Sequence, residues 1–431
     1  MKALSDSSFS ASSASLPENI LVNAKSLALV ENEPVCAFIY DLESLRRHVR
    51  SLMSQLPKGV ELYYAIKANS EKEIIETVAP LVDGLEISSG GEIQKVLNCS
   101  LRKPFIFSGP GKLDSDLREA IKHRVEMIHL ESINEIHRLE NIAAEQNRQQ
   151  KVLLRINPML PDHLATKLSM AGVPTPFGID EKQLAEAIQL VEQSEHLILS
   201  GFHVHAMSHQ TDVQRHQRLL DWYLEKWGEW KALVTDTSNL CYLNVGGGMG
   251  VNYLTPDQYD WSALCRHLEQ SLKQHPNPPR IRFEPGRFIS AFCGYYLIQI
   301  IDIKQNHGQT FAICRGGTHH FRLPVAQSHD HPVIHLPMGN PRDYGNNRSD
   351  SWQTVTVVGQ LCTPKDILSR NQSFSDLQIG DLLVLPMAGA YGYNISHTDF
   401  LCHPKPQQIF IDSDVIDAHI QRSDQHVATA C

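Results

Sequence analysis

The chain has 431 residues, which is too long for one ordinary compact domain. This length predicts two or three domains. Hydrophobic residues make up 42% and charged residues 20% of the sequence, a globular composition that excludes disordered, collagen-like and coiled-coil proteins. Asp and Glu outnumber Lys and Arg by 48 to 39 without long runs of either sign, so nucleic acid is not an expected partner.

The nine cysteines are scattered along the chain and form no CxxC pair. This pattern predicts reduced thiols rather than a disulfide framework or a zinc site, and it favours the cytoplasm. No apolar run approaches the roughly 18 residues needed to cross a bilayer, so no membrane partner is expected. Residues 1–16 include a Ser-rich stretch without the apolar core of a signal peptide, and we expect them to be disordered.

Short apolar runs alternate with segments of helical period from about residue 60 to 290, which indicates parallel strands joined by helices. Eight strands are predicted: ELYYAI (61–66), GLEIS (84–88), PFIFS (104–108), EMIHL (126–130), KVLLRIN (151–157), LILSGFHVHA (197–206), CYLNV (241–245) and RIRFE (280–284). Eight such units match an α/β fold of the (β/α)8 TIM-like barrel type, with a doubly wound parallel sheet as the rival architecture.

The sequence on either side of this region has a different pattern. Residues 17–40 include the strand-like VCAFIYD, and we expect N-terminal strands there that join a second domain. Residues 291–431 contain strand-like runs separated by Gly, Pro, Asn and His, with little helical periodicity. This pattern predicts a mostly β C-terminal domain, either a sandwich or a barrel.

Residues that could carry chemistry follow several barrel strands, where the active sites of TIM barrels lie. Lys67 directly follows the first strand, and desolvation there would lower its pKa for Schiff-base chemistry; taken alone, a surface lysine is the simpler interpretation. NVGGGMG (244–250) and EPGR (284–287) follow the seventh and eighth strands. Their glycine N–H groups, together with Arg287, suit a phosphate-binding site.

Eight short motifs carry a family resemblance: YYAIKAN, EISSGGE, LLRINP, GFHVHAMS, NVGGGMG, EPGR, GQLCTPKD and GAYG. Over roughly residues 35–412, their order and spacing resemble those of the fold-type III pyridoxal 5'-phosphate (PLP) decarboxylases, which include diaminopimelate, ornithine and arginine decarboxylases. The resemblance implies a PLP-binding barrel at residues 41–290 and a carboxy-lyase that acts on an amino acid. It also implies a homodimer with shared active sites.

The same resemblance implies roles for individual residues. Lys67 would bind PLP covalently, His205 would stack on the cofactor ring, and Glu284 would pair with the pyridine nitrogen. Cys362 would come from the partner subunit as a catalytic proton donor. The other implied cofactor-binding residues are Glu86, Arg155, Ser208, Gly246, Gly247, Gly248, Gly286, Arg287 and Tyr391, with Ser89 and Glu92 as their neighbours.

The sequence departs from diaminopimelate and ornithine decarboxylases next to Cys362. Those enzymes carry an acidic residue there for the distal ammonium of the substrate, whereas this chain has Thr363. A neutral hydroxyl cannot make the charge-assisted bond that an ammonium needs, so a basic amino acid is disfavoured. Arg322 resembles a substrate-binding arginine and suits a carboxylate, and Asp366 resembles the acidic residue that follows the cysteine.

TPFGID (175–180) and LCTPKD (361–366) are similar to a branch of the family in citrate-based siderophore biosynthesis. Members of that branch decarboxylate an amino acid already joined to citrate, which implies a carboxylate-rich amino-acid conjugate as substrate. Two alternatives stay open: a diaminopimelate decarboxylase of lysine biosynthesis, and a non-catalytic regulatory homologue. The histidines between residues 319 and 331 have no repeated ligand spacing, so no metal is expected.

Overall fold

A computed structural model describes residues 16–164, 171–338 and 352–412. The chain divides into two compact units, one of residues 45–290 and one of residues 1–44 with 291–431. Residues 1–15 of the segment expected to be disordered lie outside the described residues. Within the described ranges, no helix combines the length and apolar character that crossing a bilayer requires.

The strands and helices follow in chain order. The strands are β1 (Cys36–Asp41), β2 (Val60–Ala65), β3 (Gly84–Ile87), β4 (Phe105–Phe107), β5 (Met127–Leu130), β6 (Gln150–Asn157), β7 (Ile179–Asp180), β8 (Leu197–His203), β9 (Tyr242–Gly246), β10 (Arg280–Phe283), β11 (Gly294–Asn306), β12 (Gln309–Cys314), β13 (Ile334–Leu336), β14 (Trp352–Val358), β15 (Ile367–Ser375), β16 (Leu382–Leu385) and β17 (Gln407–Ile411). The helices are α1 (Glu18–Val30), α2 (Leu42–Met53), α3 (Lys72–Val78), α4 (Gly90–Leu97), α5 (Asp114–Lys122), α6 (Ile133–Glu145), α7 (Leu184–Glu192), α8 (Val213–Lys231), α9 (Trp261–Gln274), α10 (Arg287–Ser290) and α11 (Leu323–Gln327).

The unit of residues 45–290 is a closed parallel barrel. Its strands pair in the order β2, β3, β4, β5, β6, β8, β9 and β10, and β10 pairs with β2 to complete the ring. These strands coincide with the eight segments predicted from apolar periodicity. Closure excludes the open doubly wound sheet, so the TIM-like barrel is confirmed.

The barrel interior is polar near the carboxyl ends of its strands. Farther from those ends it contains both apolar and charged side chains. Tyr63, Ile106, Met127 and Leu153 form a buried cluster inside the ring. Arg282 is fully buried and its guanidinium lies over the Tyr63 ring, 4.0 Å from the centroid. The carboxylates of Glu61 and Glu126 neutralise that guanidinium, with their oxygens 2.6 Å and 3.0 Å from one guanidinium nitrogen.

Side-chain caps fix where the barrel helices begin. Ser89 begins α4 by accepting a hydrogen bond from the backbone N–H of Glu92, and the Glu92 carboxylate accepts one from the N–H of Ser88 at 2.7 Å. This reciprocal cap holds the turn that follows β3. The side chains of Ser132, Asp212 and Asp260 also accept a backbone N–H hydrogen bond at the start of α6, α8 and α9. Ser89 and Glu92 therefore shape the loop after β3.

The unit of residues 1–44 and 291–431 is mostly β, as the sequence predicted. Its sheet has the order β13, β16, β11, β12, β14 and β15, and β1 pairs with both β11 and β17. The expectation of strands throughout residues 17–40 is wrong for Glu18–Val30, which form α1. Ile20 and Ala24, four residues apart, place one apolar face of α1 in the core of the unit.

Candidate active site

The carboxyl ends of the barrel strands carry a group of polar side chains. Because all eight strands are parallel, residues at these ends meet at one rim. The residues concerned are Lys67 after β2, Glu86 in β3, Glu131 after β5, Arg155 in β6, His203 and His205 at the end of β8, Asn244 in β9 and Glu284 after β10.

Lys67 lies in a short 3-10 turn after β2 and forms an ion pair with Glu86. The Lys67 Nζ is 2.9 Å from the Glu86 carboxylate, which is fully buried and also accepts hydrogen bonds from the hydroxyls of Ser88 and Ser108. Burial opposes ionisation of Glu86, but the lysine charge and the serine hydrogen bonds keep its pKa below the usual value. The Lys67 side chain is 45% exposed, so the desolvation expected from the sequence is not observed.

Arg155 is held in place by Glu131, a residue that the sequence analysis did not single out. The Arg155 guanidinium donates to the Glu131 carboxylate at 2.7 Å and lies over the Phe177 ring, 4.7 Å from its centroid. The second Glu131 oxygen accepts the N–H of Gly178 at 3.1 Å. Glu131 thereby fixes the TPFGID segment against Arg155. Glu131 directly follows β5, as Glu284 directly follows β10. This position after a strand could have identified Glu131 as a candidate from the sequence.

Glu284 lies inside the barrel rim with donors beside it. The amide nitrogen of Asn244 donates to Glu284 Oε1 at 2.6 Å. His129 Nδ1 is 3.8 Å from Oε1 and His203 Nε2 is 3.5 Å from Oε2. Burial, followed by the charge of Glu86, raises the pKa of Glu284 to about 7. Its protonation state therefore depends on these few neighbours.

The glycine loop after β9 packs directly on His205. The N–H of Gly247 donates to His205 Nδ1 at 3.2 Å, which assigns the ring proton to Nε2. Burial lowers the pKa of His205 to about 3, so the ring is neutral. Gly246 and Gly248 have φ values of +67° and +92°, and a Cβ at Gly246 would lie 2.3 Å from His205 Nδ1. Only glycine lets this backbone approach so closely.

The other predicted phosphate contacts surround this loop. Arg287 begins α10, and its guanidinium donates to the Tyr253 hydroxyl at 2.8 Å. Gly286 lies against the end of β2. A Cβ at this position would be only 3.0 Å from the carbonyl oxygen of Ala65. Ser208 is exposed. Two residues later, the backbone N–H of Gln210 donates to the Gly248 carbonyl oxygen at 2.7 Å. The barrel rim thus holds the predicted residues of this unit in one region.

The predicted residues Cys362, Thr363 and Asp366 lie in one turn of the other unit. Cys362 has an exposed thiol. Asp366 is 2% exposed and accepts hydrogen bonds from the backbone N–H groups of Thr318 and Leu361, at 2.7 Å and 2.8 Å. A buried carboxylate bonded in this way organises the turn, so Asp366 is placed to hold the cysteine rather than to meet a substrate.

Arg322 and Tyr391 belong to the same unit as this turn. Arg322 precedes α11 with its side chain exposed, and its backbone N–H donates to the Ser396 hydroxyl at 3.0 Å. Tyr391 follows β16 in a loop and adopts a positive φ of +51°. Such a conformation is uncommon for an aromatic residue and is one of the strained positions that occur at functional sites.

A sequence model described as "Pyridoxal-dependent decarboxylase, pyridoxal binding domain" matches residues 42–291. The chain belongs to this family. Its cofactor is therefore PLP, and its reaction class is that of an amino-acid decarboxylase, a carboxy-lyase. Both predictions made from the motif order are confirmed, and so is the resemblance to fold-type III PLP decarboxylases.

Individual relatives support the same assignment. The chain is 41% identical over 384 residues to 2-[(L-alanin-3-ylcarbamoyl)methyl]-2-hydroxybutanedioate decarboxylase of Staphylococcus aureus, covering 88% of this chain and 95% of the relative. It is 28% identical to L-glutamyl-[BtrI acyl-carrier protein] decarboxylase of Niallia circulans, over 90% of this chain and 91% of the relative. The crystal structure of diaminopimelate decarboxylase from Helicobacter pylori complexed with L-lysine has a TM-score of 0.78 at 25% identity, covering 90% of this chain and 94% of that chain.

The groups at the barrel rim fit PLP. A lysine amine, a glycine loop with N–H groups and a buried carboxylate are the partners needed for an aldehyde, a phosphate and a pyridine nitrogen. His129, His203 and Glu284 also offer atoms within 4.8 Å of one another that could hold a metal ion. If Glu284 pairs with the pyridine nitrogen, as the resemblance implies, its carboxylate is not available as a metal ligand.

Proposed function

We propose that this enzyme removes the α-carboxylate from an amino acid that is joined to citrate through its side chain. The observation that carries the proposal is the 41% identity to the Staphylococcus aureus enzyme along nearly the whole of both chains. The name of that relative describes citrate joined by an amide to the 3-amino group of 2,3-diaminopropionate. Decarboxylation of such a conjugate would leave the citrate part intact and release CO2 from the amino-acid end.

Thr363 supports a substrate without a free distal ammonium. In the conjugate, the second amine is part of an amide and carries no charge. The neutral hydroxyl of Thr363, next to the exposed thiol of Cys362, provides no negative charge for an ammonium. It can donate a hydrogen bond to a carbonyl or carboxylate oxygen instead. The exposed guanidinium of Arg322 has the fork geometry that binds carboxylates and could take the citrate end.

PLP supplies a ring that accepts the electron pair released when CO2 leaves the substrate. Lys67 would hold the cofactor through its amine, and Glu86 positions that amine at 2.9 Å. Glu284 would stabilise a proton on the ring nitrogen, which would strengthen electron withdrawal. The neutral His205 ring would hold the cofactor by packing on it, and the glycine loop would hold the phosphate through its N–H groups.

We propose that Cys362 then donates a proton to the α-carbon, as a residue supplied by the second subunit of a homodimer. Asp366 supports this role because its hydrogen bonds hold the turn that carries the thiol. We further place the enzyme in the cytoplasm. The eight cysteines within the described residues are all free thiols, which suits a reducing compartment.

The substrate proposal is tested by steady-state assays of the purified enzyme with PLP. We expect turnover of the citrate–diaminopropionate conjugate to exceed that of meso-diaminopimelate, ornithine, lysine and glutamate by at least about a hundredfold in kcat/KM, because binding energy from the citrate carboxylates is available only to the conjugate. Diaminopimelate decarboxylation is the second candidate, favoured by the structural similarity to the Helicobacter pylori enzyme. Rapid turnover of diaminopimelate without turnover of the conjugate would establish it.

A charge placed at Thr363 should act against a polyanionic substrate. We expect Thr363→Glu to lower kcat/KM for the conjugate at least about tenfold relative to Thr363→Gln, because the two side chains have the same size and differ in charge. The measurement compares kcat/KM of both variants at low and at high salt. Salt screens the charge, so the difference in kcat/KM between the two variants should become smaller at high salt. Equal effects of Glu and Gln would mean that Thr363 acts only through its size.

A further inference from the structure

Two buried histidines below the barrel rim have unsatisfied polar atoms. His129 of β5 and His203 of β8 are 0% and 1% exposed. Both ring nitrogens of each side chain have no hydrogen-bond partner among the described residues. Buried polar groups are almost always paired, so such a pair inside a barrel requires a physical reason.

Both histidines approach the carboxylate of Glu284. His203 Nε2 is 3.5 Å from Glu284 Oε2, and His129 Nδ1 is 3.8 Å from Oε1. The two imidazole rings lie against each other with their centroids 4.4 Å apart. Asn244 already donates to Oε1 at 2.6 Å, which leaves Oε2 facing His203. A shift of a few tenths of an ångström would bring His203 into a normal hydrogen bond.

We propose that His203, supported by the packed ring of His129, is a positioning residue that donates a hydrogen bond to Glu284 Oε2 and keeps this side chain an ionised carboxylate aimed at the cofactor nitrogen. Asn244 and His203 would then donate to the two oxygens from two different strands. The inference rests on the proposed role of Glu284 opposite the ring nitrogen.

The electrostatics of the site explain why a second donor is needed. Burial, followed by the negative charge of Glu86, raises the pKa of Glu284 to about 7, while Lys67, Arg155 and the Asn244 hydrogen bond act in the opposite direction. A carboxylic acid at this position would leave the ring nitrogen without its proton. Hydrogen bonds to the charged form of a carboxylate favour that form.

His203 suits this role because it is neutral. Burial, followed by nearby charges, holds its pKa well below the usual value, so the ring can present one N–H without competing for the proton of the cofactor. The same environment disfavours a metal ion at these residues. Arg282, Lys112, Arg155 and Lys67 are the cations that also lower the pKa of His129, and a divalent ion would meet the same repulsion.

The test uses holoenzyme reconstituted with PLP labelled with 15N in the ring, whose chemical shift reports the protonation of that nitrogen. We expect His203→Leu to change the equilibrium between the protonated ring nitrogen and protonated Glu284 about tenfold in favour of protonated Glu284. This is the effect expected from loss of one hydrogen bond to a charged group. His203→Gln should restore the wild-type shift, because its amide Nε2 can donate from a similar place. His216→Leu removes another buried imidazole of the same unit, one that is 2.7 Å from the Tyr259 hydroxyl, and should leave the shift unchanged.

Glu284→Gln separates failure of this inference from failure of the underlying assignment. If Glu284→Gln leaves the nitrogen shift as in the wild type, Glu284 does not face the ring and the assumed role is wrong. If Glu284→Gln moves the shift while His203→Leu does not, the inference about His203 is overturned. Should His203→Leu fail to fold, His203→Met offers a second side chain without a donor. Stoichiometric Co2+ binding to the wild-type apoenzyme that His203→Leu abolishes would replace the inference with a metal site.

Discussion

Lys67→Ala should reduce decarboxylation by roughly a thousandfold or more, because it removes the amine that we propose bonds to PLP. The visible absorbance of the bound cofactor should disappear from the purified protein at the same time. In the structure, the Lys67 Nζ is held 2.9 Å from the buried Glu86 at the rim of the barrel, and within the described residues no other lysine forms an ion pair with that carboxylate. Absorbance spectra and steady-state rates measure both effects.

Lys67→Arg provides the matched control for this experiment. It keeps a positive charge beside Glu86, so the barrel should keep its thermal stability, but the guanidinium cannot replace the amine. We therefore expect the arginine variant to be folded and inactive. Retention of the visible absorbance by Lys67→Ala would mean that another residue bonds to the cofactor, and the assignment of Lys67 would be wrong.

Cys362→Ala should retain the cofactor and lose about a hundredfold or more in kcat, since a positioned proton donor contributes roughly 10²- to 10⁴-fold. The thiol lies in a unit separate from the barrel, which is why its loss should not change the absorbance of bound PLP. We also expect by-products, because the α-carbon would be protonated without control. Cys402→Ala, which removes another exposed thiol of the same unit, should behave as the wild type.

A mixing experiment examines whether Cys362 comes from the second subunit. Equal amounts of Lys67→Ala and Cys362→Ala protein, allowed to exchange subunits, should recover about a quarter of the wild-type activity if one active site per mixed dimer is intact. The two variants would each be inactive alone. No recovery after proven subunit exchange would place both residues in sites formed by a single chain.

The order of motifs and the apolar periodicity were sufficient to predict most of the barrel. Each of the eight predicted strands is present within a few residues, because buried parallel strands are continuous apolar runs that local sequence reveals. Lys67 and the glycine-rich segments that follow those runs could be selected for the same reason. The family resemblance then assigned them roles.

Other features needed the folded chain. Residues Glu18–Val30 form a helix, although strands were expected there, because their apolar face fits the core of the β unit. Glu131 and Asn244 were not selected. Glu131 directly follows a predicted strand, but its bond to Arg155 and the bond of Asn244 to Glu284 are apparent only in the folded chain. Their partners are 24 and 40 residues away in sequence.

The sequence alone therefore determined a parallel barrel with a mostly β part, because strand periodicity is a local property. The resemblance of its short motifs to a known family then implied the cofactor and the class of reaction. The tertiary structure decided how charge is distributed at the rim. It pairs Lys67 with Glu86, buries Asp366 at the cysteine turn and packs the tilted rings of His129 and His203 against each other beside Glu284. These arrangements depend on closure of the barrel and on the folding of the second unit, which bring together side chains that are distant in sequence and set their protonation through burial and Coulomb interactions.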